Sequence, residues 1–369
     1  MLNLDKMVEI GISIPNATDI SAYLADVGYI ADFTTDDLVD GVTVPTNKLM
    51  VLQSADDVVA TFKSGTKYNQ DLTALFTQKN NTKPNQGRVN KVFVFQKTTE
   101  NTFGDAFDAF FALKADWAQL IISSKTLDDI KSVAAGVQLQ NRLFIAQTAE
   151  TVSTSDLSAY SNVKILHSPD SDSIAAALAC VLANGNLGSV GDLYSAFGGI
   201  NPTEYSSADM SAFDEANVGY YTTVNAINGG GVEHYGKSIL YGNKQADGEI
   251  TKRRYIRYTI DLLLKAQVLD FLAKKLSYQE SSNNILEGML KSVLINCQSN
   301  DLIVQDSEDS DGFYLDCMQI AKIKKYYNAN YLKQEYRVNG WYIDALTGTK
   351  VYIDLLVNPS DAEKAAFEL

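Results

Sequence analysis

Between residues 91 and 182 the chain repeats one pattern: a short apolar run, then an amphipathic stretch, then another short apolar run. KVFVFQ at 91–96, WAQLIIS at 117–123, RLFIAQ at 142–147 and VKILH at 163–167 are strand-length and apolar. The stretches between them have helical character. Residues 103–115 carry Phe103, Phe107, Phe110 and Phe111 on one stripe, and residues 126–138 open on Thr126 with Asp128 and Asp129 in the first turn. An N-terminal hydroxyl and early acids satisfy free amide groups and the helix dipole. Asp172 and Ser173 open a further helix through Val181 and Leu182. Strands that alternate with helices cannot pair as hairpins, so this rhythm demands a mostly parallel sheet with helices on both faces.

The flanks differ. Residues 7–14 alternate cleanly, with Val8, Ile10, Ile12 and Ile14 on one side and Glu9, Gly11 and Ser13 on the other, which reads as a strand ended by Pro15-Asn16. After Gly185 the chain is loop-rich, with Gly188, Gly191, Gly198 and Gly199 and a short helix near 206–215. Two long amphipathic helices follow. One spans 261–276 with Leu262, Leu269, Leu272 and Leu276 on one face; the other spans 284–297 with Ile285, Met289, Val293 and Cys297 beside Leu286, Leu290 and Leu294. The chain closes on a predicted hairpin, 341–346 and 350–357, in which Val351, Ile353 and Leu355 share a face. The expected class is mixed α/β: a mostly parallel sheet flanked by helices, a C-terminal β-containing subdomain, and β-strand arms at both ends. The expected division is an N-terminal arm at 1–20, an α/β body at 21–215, a C-terminal domain with the long helices at 216–340, and a hairpin arm and tail at 341–369.

Composition narrows the function. No window of 18 or more uncharged apolar residues exists, so no transmembrane span is expected, and the acid-bearing start MLNLDKMVEIGISIP is unlike a secretory signal. Three separated cysteines, Cys180, Cys297 and Cys317, fit reduced, buried thiols of a cytoplasmic product. A formal charge of −14 argues against wrapping nucleic acid. Basic residues nevertheless cluster at Lys252, Arg253, Arg254 and Arg257 and at Lys322, Lys324, Lys325 and Lys333. Such clusters are solvated faces or patches that dock on an acidic partner.

One window supports two incompatible readings. Gly231-Val232-Glu233-His234-Tyr235-Gly236-Lys237-Ser238 matches the phosphate-binding loop G-x-x-x-x-G-K-[ST]. The same stretch also reads as strands joined by glycine turns and running into a helix. Phosphate binding needs a helix to begin at Lys237-Ser238 so that its amides face the ligand. Only Ile239, Leu240 and Tyr241 follow before the turn signal Gly242-Asn243. A nucleotide-binding enzyme using Gly231 to Ser238 is therefore the alternative reading rather than the leading one. His167 and His234 are the only two histidines, which leaves no histidine-rich metal site. His167, at a strand end before Ser168-Pro169-Asp170, is read as a satisfied histidine in preference to a catalytic base. The acidic run QDSEDSDG at 305–312 fails calcium-loop spacing, because Met318 falls where a bidentate Glu is required. No catalytic residues, cofactor or metal are expected.

The order of segments resembles contractile tail sheath proteins of the myovirus type, the shorter family without large protruding domains. YNQDLTALFTQKNNTKPNQGRVNKVFVF at 68–95 is similar to an early passage of that family. The glycine-rich stretch leading to NVGYYTTV and the segment GKSILYGNKQADGEITKRRYIRYTIDLLLKAQVLDFLAKKL are similar to its middle and later passages. The likeness covers most of 60–300, and the region beyond Asp301 departs from it. The resemblance implies a non-enzymatic virion subunit, or one of a tail-like particle, assembled in the host cytoplasm. It implies stacked hexameric rings around a tail tube that contract to drive the tube through a target envelope. The implied partners are further copies of the chain, the tube protein, and baseplate and tail terminator proteins, with no nucleic acid and no membrane insertion. In that family N- and C-terminal arms exchange strands between subunits, which makes Val8, Ile10, Ile12, Ile14, Val351, Ile353 and Leu355 the candidate arm residues here. By analogy with an electrostatic sheath–tube contact, Lys322, Lys324, Lys325 and Lys333 are the candidate tube-facing patch.

Overall fold

The computed structural model describes residues 25–44, 47–78, 89–138, 142–169, 173–183, 195–228, 231–273, 280–304, 312–319, 336–346, 348 and 350–357. The chain divides into two compact units, Ser21–Tyr255 and a second that takes in Ile256–Leu369. The division falls at 255/256, because the strands just after 216 extend the first unit's sheet.

The first unit is an eight-stranded sheet in the order β2-β3-β1-β4-β5-β6-β7-β8. Its strands are β1 (Asp26–Ala31), β2 (Leu49–Leu52), β3 (Lys91–Gln96), β4 (Gln119–Ile122), β5 (Leu143–Thr148), β6 (Val163–His167), β7 (Gly219–Asn228) and β8 (Gly231–Tyr241). All neighbours from β3 to β7 are parallel, and only the two outermost, β2 and β8, run antiparallel to theirs. The helices of this unit are α1 (Ala55–Thr61), α2 (Lys67–Thr77), α3 (Phe103–Ala112), α4 (Leu127–Val137), α5 (Thr154–Leu157), α6 (Ile174–Leu182) and α7 (Ser207–Glu215). The mostly parallel, helix-covered sheet that the βα rhythm demands is present.

All six residues of β1 are buried, as expected of a strand with parallel neighbours on both sides and helices above and below. Gly28 at its centre is obligatory: a Cβ there would come within 2.8 Å of the Phe110 ring. That close approach seats the α3 stripe. Phe103, Phe107 and Phe110 are buried, and Phe110 and Phe107 meet Trp117 at centroid distances of 5.5 and 6.4 Å. Phe111 lies at the margin of the same core. Burying one such ring contributes on the order of 2–3 kcal/mol. The other face is covered in part by α6, whose nine residues are all buried, as suits IAAALACVL, which is apolar all round. Its first amides lie in the interior and are received by Gln147, whose Oε1 accepts from Ile174 N at 3.0 Å and Ala175 N at 3.4 Å.

The second unit holds α9 (Glu280–Ser299) and a three-stranded antiparallel sheet, β9 (Phe313–Gln319), β10 (Tyr336–Ile343) and β11 (Lys350–Val357), with β10 in the middle. Helix α8 (Thr251–Ala273) crosses the 255/256 division and begins well before the expected 261. Its buried residues include Ile256, Ile260, Leu262, Leu264, Val268 and Phe271, with Lys265 among them. In α9 the Leu286, Leu290, Leu294 and Cys297 stripe is buried, whereas Ile285 is exposed. Facing inward from the small sheet are Leu315, Val338, Tyr342, Val351, Ile353 and Leu355.

Candidate functional site

In a doubly wound sheet, ligands settle at the carboxyl ends of the strands where the winding direction reverses. Here that place is β1, flanked by β3 and β4. Asp32, just past β1, stands there, with three donors already converging on one of its carboxylate oxygens. Its Oδ1 accepts from Ser123 Oγ at 2.7 Å, Tyr68 OH at 3.0 Å and Lys67 Nζ at 2.9 Å. Burial pushes the Asp32 pKa up, yet the bonds from Ser123, Lys67 and Tyr68 outweigh it and bring it to about 2. Deeper, Asp71 accepts from Tyr29 OH at 2.8 Å and Ser173 Oγ at 2.5 Å, tying β1, α2 and the start of α6 together. Burial raises the Asp71 pKa, only partly offset by those two hydrogen bonds. These groups are braces.

The helix N-termini along this edge are closed in the same way. Such termini attract anions because their amides and dipole are positive. Asp105 Oδ2 accepts from Thr102 N and Oγ1 at 3.0 and 2.7 Å at α3. Asp156 does so with Ser153 at 2.9 and 2.7 Å at α5, and Asp209 with Ser206 at 3.1 and 2.7 Å at α7. At α4, Asp129 accepts from Thr126 Oγ1 at 2.8 Å and Ser124 Oγ at 2.5 Å. Hydrogen bonds from Thr102 and Ser206 hold the Asp105 and Asp209 carboxyls below the usual range. At α3, α4, α5 and α7 a carboxylate of the chain itself stands at the helix start, and at α6 the amide oxygen of Gln147 does.

Gly231 to Ser238 lie in β8, in register with β7 from Asn228↔Gly231 to Thr223↔Ser238 with one irregularity between Val224 and Ala226. Amides of a strand alternate direction and cannot converge on a phosphate, so the strand-and-turn reading of this window holds and the phosphate-loop geometry is missing. Gly242, at φ 88, ends β8, as the Gly242-Asn243 signal predicts. His167 is satisfied: Nδ1 lies 3.2 Å from Tyr205 OH, the ring stacks on Phe213 at 4.5 Å, and burial lowers its pKa. A surface cleft of about 330 Å³ is lined by Asp214, Asn217, Tyr241 and Lys244, among others. Beside it, fully buried Lys164 donates from Nζ to the carbonyls of Gly242 at 2.6 Å and Lys244 at 2.8 Å. Among the described residues no group of three or more His, Cys, Asp or Glu side chains is placed to hold a metal, and no helix is long and apolar enough to cross a membrane.

The small sheet offers a different kind of site. In β11, Val351, Ile353 and Leu355 are 8, 7 and 6% exposed, and the residues between them, Tyr352 and Asp354, face out. These three predicted arm residues therefore form one apolar face, on a strand at the sheet's edge. The other predicted arm residues, Val8, Ile10, Ile12 and Ile14, lie outside the described residues, as do Lys322, Lys324, Lys325 and Lys333. The sequence reading missed the outer face. Tyr314, Trp341 and Tyr352 occupy one cross-strand row, with Tyr314 53% and Tyr352 79% exposed. Lys350 Nζ sits 4.0 Å over the Trp341 ring. Its signal was available in KVYIDLLV, where a tyrosine takes a solvent-side position of the alternation.

No protein-family model and no curated protein matches the sequence. Among solved structures, the chain is similar to one described as the cryo-EM structure of the anti-feeding prophage (AFP) baseplate, 6-fold symmetrised. The likeness has a TM-score of 0.58 at 10% identity and covers 89% of this chain and 92% of that one. At this identity it is a likeness of fold.

Proposed function

We propose that this chain is a structural subunit of a contractile, phage-tail-like particle, and within it a tail sheath subunit that stacks as hexameric rings around a tube. The observation that carries the reading is the fold likeness to a chain of the anti-feeding prophage baseplate assembly, which runs over nearly the full length of both chains. The braced and acid-capped carboxyl edge supports a structural rather than an enzymatic role, since it presents backbone and side-chain groups already paired with one another. The apolar face of β11 supports the arm-exchange part of the proposal: an added strand gains main-chain hydrogen bonds and a ready-made apolar row. In this reading Val8, Ile10, Ile12 and Ile14 of one copy supply such a strand to another. Lys322, Lys324, Lys325 and Lys333 face the tube. Contraction is a rigid-body rearrangement about the arms without hydrolysis.

Negative-stain microscopy of the expressed chain tests this, with tubes or stacked rings as the expected result. Isolated particles that never form rings, alone or with a tube protein, would overturn it. Deleting residues 1–14 is expected to abolish tubes, and normal tubes from that variant would end the arm-exchange part. A second reading, a baseplate subunit, is favoured by the assembly in which the similar chain was solved. It predicts single rings that do not stack.

A further inference from the structure

The cleft in the first unit lies between the last turn of α7, which carries Asp214, and the turn that follows β8. Asn217, Tyr241, Asn243 and Lys244 also line it. The backbone sets these groups in place. Asn217 ends α7 in the left-handed conformation, at φ 58, with Val218 N bonded to Phe213 O at 2.9 Å. On the other wall Gly242 turns the chain at φ 88, and buried Lys164 holds that turn through the carbonyls of Gly242 and Lys244. Thr251 N donates to Asn243 O at 2.8 Å and closes the same turn. The Tyr241 ring is packed on Tyr220 at a centroid distance of 5.4 Å, and Tyr220 meets Phe213, also at 5.4 Å. Tyr241 is nevertheless 39% exposed. Walls braced in this way have little freedom to lose when a ligand arrives.

We propose that this cleft binds a neutral sugar, one pyranose ring laid on Tyr241 and hydrogen-bonded by Asp214, Asn217, Asn243 and Lys244. The lining carries a carboxylate and an ammonium, so a phosphate ester meets Asp214, and a polyamine meets Lys244, with like charge. A hydroxyl both donates and accepts, so a ring bearing several of them serves the carboxylate, the ammonium and both amides. One face of a pyranose is a patch of C–H groups, which matches the apolar body of an exposed phenol ring. The volume of about 330 Å³ stands at the lower end for small-molecule sites, which favours a single ring over a dinucleotide. Sugar recognition goes beyond the structural role proposed above and does not rest on it.

The test is saturation-transfer difference NMR on the full chain, which works on a free subunit and on a large assembly alike. The probes are the methyl glycosides of glucose, galactose, mannose and N-acetylglucosamine, with glycine and inorganic phosphate as charged competitors. Transfer to at least one sugar is expected, strongest at its ring C–H protons, and neither competitor should displace it. Asp214→Ala and Lys244→Ala should each weaken binding by about tenfold. Both residues are exposed, so the fold is kept, as circular dichroism will check. Tyr241→Ala should abolish the transfer, whereas Tyr241→Phe, which keeps the ring, should retain most of it. No transfer to any of the four sugars would overturn the proposal. Transfer unchanged in Asp214→Ala and Lys244→Ala would do so by placing the sugar elsewhere, and displacement by glycine or phosphate would do so by making the ligand a charged one.

Discussion

Residues of the same kind behave oppositely in the two units. In the first, Tyr29 and Trp117 are 0% exposed, and the Tyr29 hydroxyl is spent on Asp71. In the second, Tyr314 and Tyr352 stand 53 and 79% in solvent. The polar groups follow suit. Asp32 and Asp71 are braced in the interior by three and two hydrogen-bonding partners, respectively, whereas Lys350 is exposed and lies over the Trp341 ring on the outer face of the small sheet. In the core of the first unit these groups are spent inside, whereas on the outer face of the small sheet they furnish a surface, even though Tyr342 and Lys265 of the second unit stay buried.

Four substitutions probe that contrast. Phe110→Ala should cost about 4 kcal/mol in denaturant unfolding, because it empties the space between Gly28, Phe95 and Trp117; a loss below about 1 kcal/mol would mean the core closes over the gap. Asp71→Ala should cost about 3 kcal/mol, since it strands the buried hydroxyls of Tyr29 and Ser173. Asp32→Asn acts through pH. With a folded pKa of about 2 against an ordinary 3.8, the folded state binds fewer protons there than the unfolded chain. The stability it contributes is complete above about pH 4 and lost as pH falls towards 2. Its carboxylate is 40% exposed, so after solvent screening the contribution is roughly 1 kcal/mol. Urea midpoints between pH 2 and 5 should flatten in the variant, and an unchanged slope would remove Asp32 from the account. Tyr352→Ala should change unfolding by less than about 0.5 kcal/mol, because its ring stands in solvent. A large loss of monomer stability would mean that this ring serves the sheet's interior.

Much of the first unit was legible because its signals are local. KVFVFQ became β3 unchanged, the Thr126, Asp128 and Asp129 start marks α4, and the phenylalanine stripe became the core. What the sequence hid depends on partners far away in the chain. DVGYIA has no alternation and carries a glycine and an acid, yet it is an interior strand paired on both sides. Its glycine is explained by Phe110 and its acid by Lys91, 3.2 Å from Asp26, neither of which a local pattern contains. The phosphate-loop letters misled for the opposite reason: the motif is local, but its chemistry requires a turn, and pairing with β7 makes it a strand. For the candidate site, the inward residues of β11 were legible from alternation. The aromatic row was not, because it exists only once β9, β10 and β11 lie side by side.

The β10–β11 ladder has one more consequence. Its eight register pairs, from Tyr336↔Val357 to Ile343↔Lys350, hold strands whose hydrogen bonds lie perpendicular to their length. A pull along β11 stretches all of those bonds at once, in shear, while a pull away from the sheet opens them singly from one end. As a mechanical element the strand is therefore directional, stiff along its axis and easily peeled across it.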